Sequence, residues 1–216
     1  MDYSQNGEQQ IIDKFFLNEG KECTRYLVDV GAYDGIEGSN SRFLLLRGWS
    51  GLLIEPNPLC FERLKSLYDS RLEIKCVQAA ISDYMGESID MRFSIGPPGL
   101  RKEDQWKYAQ VSTLNDDFAN YYEEKLGYIY EKHPVNVLTL NSILASVSAP
   151  TSIGFMTIDC EGEDLKIIKS FYFDRYKPKL LCIECNDESR HQFTNILEKF
   201  GYVFFDKTEC NTFYSL

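Results

Sequence analysis

"YLVDVGAYDGIEGSNSRFLLLRGWSGLLIEPNP", residues Tyr26–Pro58, is the stretch on which the fold turns. It opens with an apolar run carrying Asp29 and ends at a glycine bend, Gly31-Ala32-Tyr33-Asp34-Gly35. "SNSRFLLLRGW" (39–49) follows, where a capping serine ahead of apolar residues predicts a helix. "GLLIEP" (51–56) is a second apolar run, closed by Glu55 and Pro56. Strand, bend, helix, strand and terminal carboxylate make a βαβ unit that receives a ligand at its strand ends.

Outward from this unit the alternation continues. "EQQIIDKFFLNEG" (8–20) places Ile11, Ile12, Phe15 and Phe16 on one helical stripe, with Gly20 as the stop. "PLCFERLKSLYDS" (58–70) reads as a helix with proline in its first turn, and "LEIKCVQAAISD" (72–83) as a third strand. "ESIDMRFSI" (87–95) alternates, as a hairpin strand does. Residues 96–134 break the pattern. "GPPG" (96–99) signals a loop, and the tract beyond it is rich in tyrosine: Tyr108, Tyr121, Tyr122, Tyr128 and Tyr130. It is expected to be an insertion lying over the sheet. "VNVLTLNSILAS" returns to a short strand and helix. "SIGFMTIDCEG", "EDLKIIKSFYF", "PKLLCIEC" and "ESRHQFTNILEKFG" alternate strand and helix, and "YVFFDKTECNTFYSL" closes as a strand pair. The expectation is one α/β domain over 1–216, with a mostly parallel sheet covered on both faces.

The chain has 216 residues, 44% hydrophobic and 26% charged, as a soluble globular protein does. No apolar run is long enough to cross a bilayer, and "MDYSQNGEQQ" lacks the features of a secretory signal, so a cytosolic location is expected. Seven cysteines at irregular positions do not form a disulfide framework. Cys182 and Cys185 have CxxC spacing, but on a strand residues three apart face opposite sides and cannot clasp one metal. A net charge of −10 without a Lys/Arg cluster speaks against a nucleic-acid partner.

The bend selects the ligand. A dinucleotide fold uses G-x-G-x-x-G so that pyrophosphate can lie against bare backbone at a helix N-terminus. Here there are two glycines spaced G-x-x-x-G, and Asp29 and Asp34 stand where phosphates would lie. S-adenosylmethionine carries a sulfonium, an α-ammonium and no phosphate, so these carboxylates attract it. Glu55 suits the ribose hydroxyls. The competing readings are an NAD-linked sugar-nucleotide enzyme and a structural turn with a solvated aspartate.

Six segments together resemble the FkbM-type S-adenosylmethionine-dependent methyltransferases, a branch of the class I methyltransferase fold. They are "YSQNGE" (3–8), "VDVGAYDGIEGSN" (28–40), "GWSGLLIEPNP" (48–58), "AAISD" (79–83), "TIDCEGED" (157–164) and "PKLLCIE" (178–184). Asp164 departs from the Glu that members often carry. The resemblance implies a Rossmann-like seven-stranded sheet with its last strand antiparallel. It implies cofactor contacts from Asp29, Gly31, Ala32, Asp34, Gly35, Glu55 and Pro56, with Ser39 and Asn40 beside them. Ile81, Ser82 and Asp83 would lie near the adenine, Asp159 would border the cofactor, and Gln5 would reach it from the N-terminal segment.

Methyl transfer needs an aligned lone pair and a proton acceptor. Asp159 and Glu161 follow "FMTI", and Glu184 and Asn186 follow "LLCI". Asp159 is the first candidate base. Other class I O-methyltransferases hold a metal at these two strand ends, so Asp159, Glu184 and Asn186 are candidate ligands for magnesium or another divalent cation. Alternatively, Asp159 or Glu161 caps the following helix. His133 borders the insertion and is a further catalytic candidate; His191 reads as a surface residue. The tyrosines, with Trp106, suit a sugar or other hydroxylated ring. The expected activity is O-methylation of a sugar, glycan precursor or related small molecule. An N-methyltransferase of the same fold and a catalytically silent binding module are the alternatives.

Overall fold

The computed structural model describes residues 2–19, 23–185 and 187–216. The predicted helix stop at Gly20 lies outside them, as does Asn186. In chain order, helix α1 (Glu8–Glu19) precedes strand β1 (Tyr26–Val30), α2 (Arg42–Leu46), β2 (Ser50–Ile54), α3 (Pro58–Tyr68) and β3 (Ile74–Val77). Next come β4 (Ala80–Ser82), β5 (Gly86–Gly96), α4 (Asp116–Leu126), β6 (Ile129–Thr139) and α5 (Leu140–Ser146). The chain ends with β7 (Ser152–Ile158), α6 (Asp164–Ser170), β8 (Lys177–Glu184), α7 (Arg190–Leu197), β9 (Val203–Lys207) and β10 (Asn211–Ser215).

The main sheet has seven strands in the order β3-β2-β1-β7-β8-β10-β9. The first five are parallel, and β10 runs antiparallel between β8 and the edge strand β9. Strand alternation sorts the core into two layers. Leu27, Leu53, Phe155 and Leu180 pack with Ile12 and Phe15 of α1, Phe43–Leu45 of α2 and Phe61 and Leu64 of α3. Val28, Ile54, Met156 and Ile183 face the other way, toward Ile143 of α5, Ile167 of α6 and Phe193 of α7. Cys182 belongs to the first layer and Cys185 to the second. Order reverses between β1 and β7, where a ligand cleft opens in such sheets.

Two local expectations change. The run 72–83 is not one strand. Its first half, β3, extends the main sheet, while β4 joins a separate sheet ordered β4-β6-β5. The break falls at Gln78–Ala79, where the chain leaves the sheet edge. The tract 96–134 is more than a cover. Its last residues are the front of β6, which pairs antiparallel with β5. Between the two strands lie a 3₁₀ segment, Lys102–Val111, and α4, capped by the Asn115 side chain and ended by left-handed Gly127. The serine that opens 39–49 holds the helix start as expected: the Ser39 hydroxyl accepts the Arg42 amide, the first of α2, at 3.1 Å, whereas the hydroxyl of Ser41, next to the helix, does not cap it. The Ser41 hydroxyl donates instead to the buried Asp29 carboxylate.

Candidate active site

The glycine bend is built by close approach. The amides of Gly31 and Ala32 both donate to the Ile54 carbonyl, at 3.0 and 2.9 Å, tying the end of β1 to the end of β2. Gly31 has φ +86°, and a Cβ there would run into the carbonyl of Asp159. Only glycine permits both. One residue on, the Tyr33 amide donates to Glu55 Oε2 at 2.9 Å, and the Asn57 amide donates to Oε1 at 2.8 Å. Each Glu55 oxygen keeps a lone pair for a ribose hydroxyl.

Above these strand ends lies a cavity of about 330 Å³, within the range of small-molecule sites. Gln5, Asp29, Gly31, Ala32, Ser39, Asn40, Glu55, Pro56, Ile81, Asp159, Glu161 and Glu184 all line it. Tyr122 of the tyrosine-rich tract lines it too, and so do residues that were not singled out in sequence: Tyr33, Glu37, Gly38, Thr157, Glu163, Cys210 and, from the small-sheet region, Met91, Ala109–Ser112 and Leu114. Tyr33 sits within the glycine bend and Glu37 two residues beyond it, but nothing local marks the 109–114 segment.

Five expected residues are placed elsewhere. Asp34 is buried, but its Oδ1 accepts from the amides of Ile36 and Glu37 at 2.8 and 3.0 Å, and Arg63 lies 3.8 Å from Oδ2. Its charge braces the turn rather than facing the cavity. Gly35, at φ +75°, lies against Leu64 and Tyr68 of α3. Ser82 donates to Glu163, and Asp83 turns back to accept from Ser82 at 3.3 Å. His133 is exposed, 3.2 Å from Glu131 and stacked on Phe93 with centroids 5.4 Å apart. It lines a separate groove with Lys102 and Gln105, because β6 turns this face away from the carboxylates. Neither Asp159 nor Glu161 caps α6. Asp164 takes the amides of Cys160 and Gly162, at 2.9 and 3.2 Å.

The sequence matches the methyltransferase FkbM domain over residues 29–204. The chain belongs to the FkbM methyltransferase family. It is thus an S-adenosylmethionine-dependent methyltransferase, and the NAD-linked reading falls away. No curated protein matches it in sequence. Among solved structures it is similar to precorrin-6Y C5,15-methyltransferase from Geobacter metallireducens, at 10% identity and TM-score 0.45, covering 96% of this chain and 83% of that one. A TehB-like SAM-dependent methyltransferase from Corynebacterium glutamicum gives 10% identity and TM-score 0.45, covering 97% and 87%. The N-terminal domain of human METTL16 in complex with SAH gives 13% and 0.43, covering 95% and 66%. The family match, not these distant similarities, carries the assignment.

The electrostatics of this FkbM-family cavity fit the methyl donor. Its lining includes seven carboxylates, Asp29, Glu37, Glu55, Asp159, Glu161, Glu163 and Glu184, and among the described residues no Lys, Arg or His. A sulfonium and an ammonium are attracted there, and a pyrophosphate is repelled. Burial pushes the Asp29 carboxyl up to about 6 against the Ser41 hydrogen bond that favours its charge. Burial likewise raises Glu55 to about 7, opposed by the two amide bonds and reinforced by Asp29 and Asp159. Asp159 rises to about 6 through burial, while a hydrogen bond from Glu184 favours its ionised form. Glu161 is held well above the usual carboxylate range by burial and then by Asp159 and Asp164, and Glu184 by burial and then by Asp159, Glu161 and Asp164. One buried acceptor on the cavity wall, Asn40 Oδ1, has no hydrogen-bond partner among the described residues. Such a group is satisfied by a bound polar ligand or its water. Among the described residues no helix is long and apolar enough to cross a membrane.

Proposed function

We propose that this enzyme transfers the methyl group of S-adenosylmethionine to a hydroxyl of a sugar, a glycan precursor or a related small molecule. The observation that carries the reading is the set Asp159 and Glu161, just after β7, and Glu184, the last residue of β8. Each offers one carboxylate oxygen, and the three lie within 4.8 Å of one another. S-adenosylmethionine supplies an electrophilic methyl on sulfur and leaves as a neutral thioether. The attacking hydroxyl must shed its proton, and a buried carboxylate titrating near neutrality is suited to accept it. Asp159 is that acceptor, and Glu184, hydrogen-bonded to it, holds a proton and spreads the resulting charge. Tyr122 borders the same region, its phenol kept neutral by burial and by Glu161 and Glu184, so it presents a donor and an aromatic face to a hydroxylated ring. The seven carboxylates and the net charge of −10 disfavour a nucleic-acid acceptor.

The same three oxygens favour a second reading, in which magnesium is held by Asp159, Glu161 and Glu184 and lowers the pKa of the acceptor hydroxyl. Glu161 then takes the place expected of Asn186, which lies outside the described residues. The test is release of S-adenosylhomocysteine across a panel of sugars, glycosides, phenols and matched amines, with magnesium or with chelator. Turnover of hydroxylated members supports the proposal. Turnover confined to the amines overturns it and favours the N-methyltransferase. Loss under chelator, restored by magnesium, selects the metal reading.

A further inference from the structure

Glu161 reaches the cavity from a backbone that few non-glycine residues adopt. Its φ is +50°, in the left-handed region, and the next residue, Gly162, has φ +99°. Such a conformation persists only where neighbouring structure enforces it. Two sets of contacts do so here. From inside the loop, the Asp164 carboxylate accepts the amides of Cys160 and Gly162, at 2.9 and 3.2 Å. From outside, the Thr113 hydroxyl donates to the Glu161 carbonyl at 2.7 Å. The peptide joining Glu161 to Gly162 is therefore held at both ends, its N–H by the loop itself and its C=O by a residue 48 positions away in sequence.

The outer contact is rigidly mounted. Thr113 is fully buried. Its amide and carbonyl exchange hydrogen bonds with Arg92 of β5 at 2.9 and 3.0 Å. Its Oγ1 also accepts the Asn115 amide at 2.8 Å, so the hydroxyl proton is left to point at Glu161. Next to it, a Cβ on Gly162 would lie 2.9 Å from Asn115 Nδ2, so the segment 113–115 is moulded against the loop. That segment belongs to the tyrosine-rich tract, whose sequence indicates a cover with aromatic faces for an acceptor and marks nothing at 113–115.

We infer that the Thr113–Asn115 segment is a clamp, and that Thr113 is a positioning residue that holds the Glu161 carboxylate toward the acceptor end of the cavity. The inference rests on the proposal that Glu161 faces the acceptor. The clamp makes the small sheet part of the catalytic geometry, because its β5 edge sets the backbone of the loop after β7. Glu161 lines the cavity together with Tyr122, Asp159 and Glu184, and one oxygen of its carboxylate lies within 4.8 Å of one oxygen each of Asp159 and Glu184. Loss of the hydroxyl frees the Glu161 carbonyl, and the peptide can flip at Gly162, letting Glu161 return to ordinary backbone angles with its side chain withdrawn.

Thr113→Val keeps the shape and removes the hydroxyl; Thr113→Ser keeps the hydroxyl. Crystal structures of the wild type and both variants, which need no acceptor, read the Glu161 φ directly. Calorimetry reads S-adenosylmethionine affinity, and turnover is measured on an acceptor from the panel above. The expected result for Thr113→Val is a Glu161 φ outside the left-handed region, cofactor affinity within about threefold of wild type and turnover down at least about tenfold, with Thr113→Ser restoring all three. A Thr113→Val structure with Glu161 still left-handed overturns the clamp. Separately, wild-type turnover in Glu161→Gln overturns the reading that Glu161 serves the acceptor, without bearing on the backbone result.

Discussion

Raising the pH from 5.5 to 7.0 is expected to tighten S-adenosylmethionine binding about 60-fold. In the free protein the buried Asp29 and Glu55 carboxyls titrate at about 6 and about 7. Binding favours their ionised forms, Asp29 through the positive charges of the ligand and Glu55 through the ribose hydroxyls. Protonation at low pH then competes with the ligand by a factor of one plus 10 raised to pKa minus pH for each group. Between the two pH values that factor changes about fourfold for Asp29 and about 16-fold for Glu55, roughly 2.4 kcal/mol together. The upper limit is set below the ligand's own α-ammonium, which titrates near ~7.7–8.0. The assay is calorimetry at fixed ionic strength, with S-adenosylhomocysteine as the ligand lacking the sulfonium. Its dependence should be shallower. Affinity that is flat across this range, or that weakens as pH rises, would refute the charge argument on which the pocket rests.

The ligand-free protein is expected to lose stability over the same range. Asp29, Asp159, Glu55 and Asp164 all have carboxyls raised by burial, so the stability they contribute is complete below their unfolded values and is lost as pH rises through about 6 to 7. Calorimetric melting at pH 5.0 and 7.5 checks this, and Glu55→Gln should flatten the dependence. Gly31→Ala should abolish detectable cofactor binding and lower stability by at least about 2 kcal/mol, since the added Cβ meets the Asp159 carbonyl at a left-handed φ; thermal melting and calorimetry read both. Asp159→Asn should lower turnover by about 10²–10⁴ with cofactor affinity changed far less, measured as S-adenosylhomocysteine release.

Tyr26–Pro58 was legible because everything it encodes is local. The two apolar runs, the glycine bend and the terminal Glu55 lie within one βαβ unit, and turn chemistry plus periodicity are enough to read it. The antiparallel closing pair was legible for the same reason. Asp34 shows the limit. A carboxylate in a bend can face a ligand or its own turn amides, and sequence does not distinguish the two; the amides of Ile36 and Glu37 take it. His133 was a catalytic candidate because it borders the insertion, yet the pleat of β6 turns it outward. The split of 72–83 between two sheets follows from where β6 arrives to pair with β4, a residue distance no window spans.

By itself the sequence determined the parallel α/β architecture, a glycine bend without the dinucleotide spacing, and the acidic character of the strand ends. Only the tertiary structure decided which carboxylates meet. Asp159, Glu161 and Glu184 converge because β7 and β8 are neighbours, and Glu161 faces inward because Thr113, mounted on a different sheet, holds its peptide. Backbone preferences act within a few residues. Packing brings together groups far apart in the chain, and only packing fixes where their side chains point.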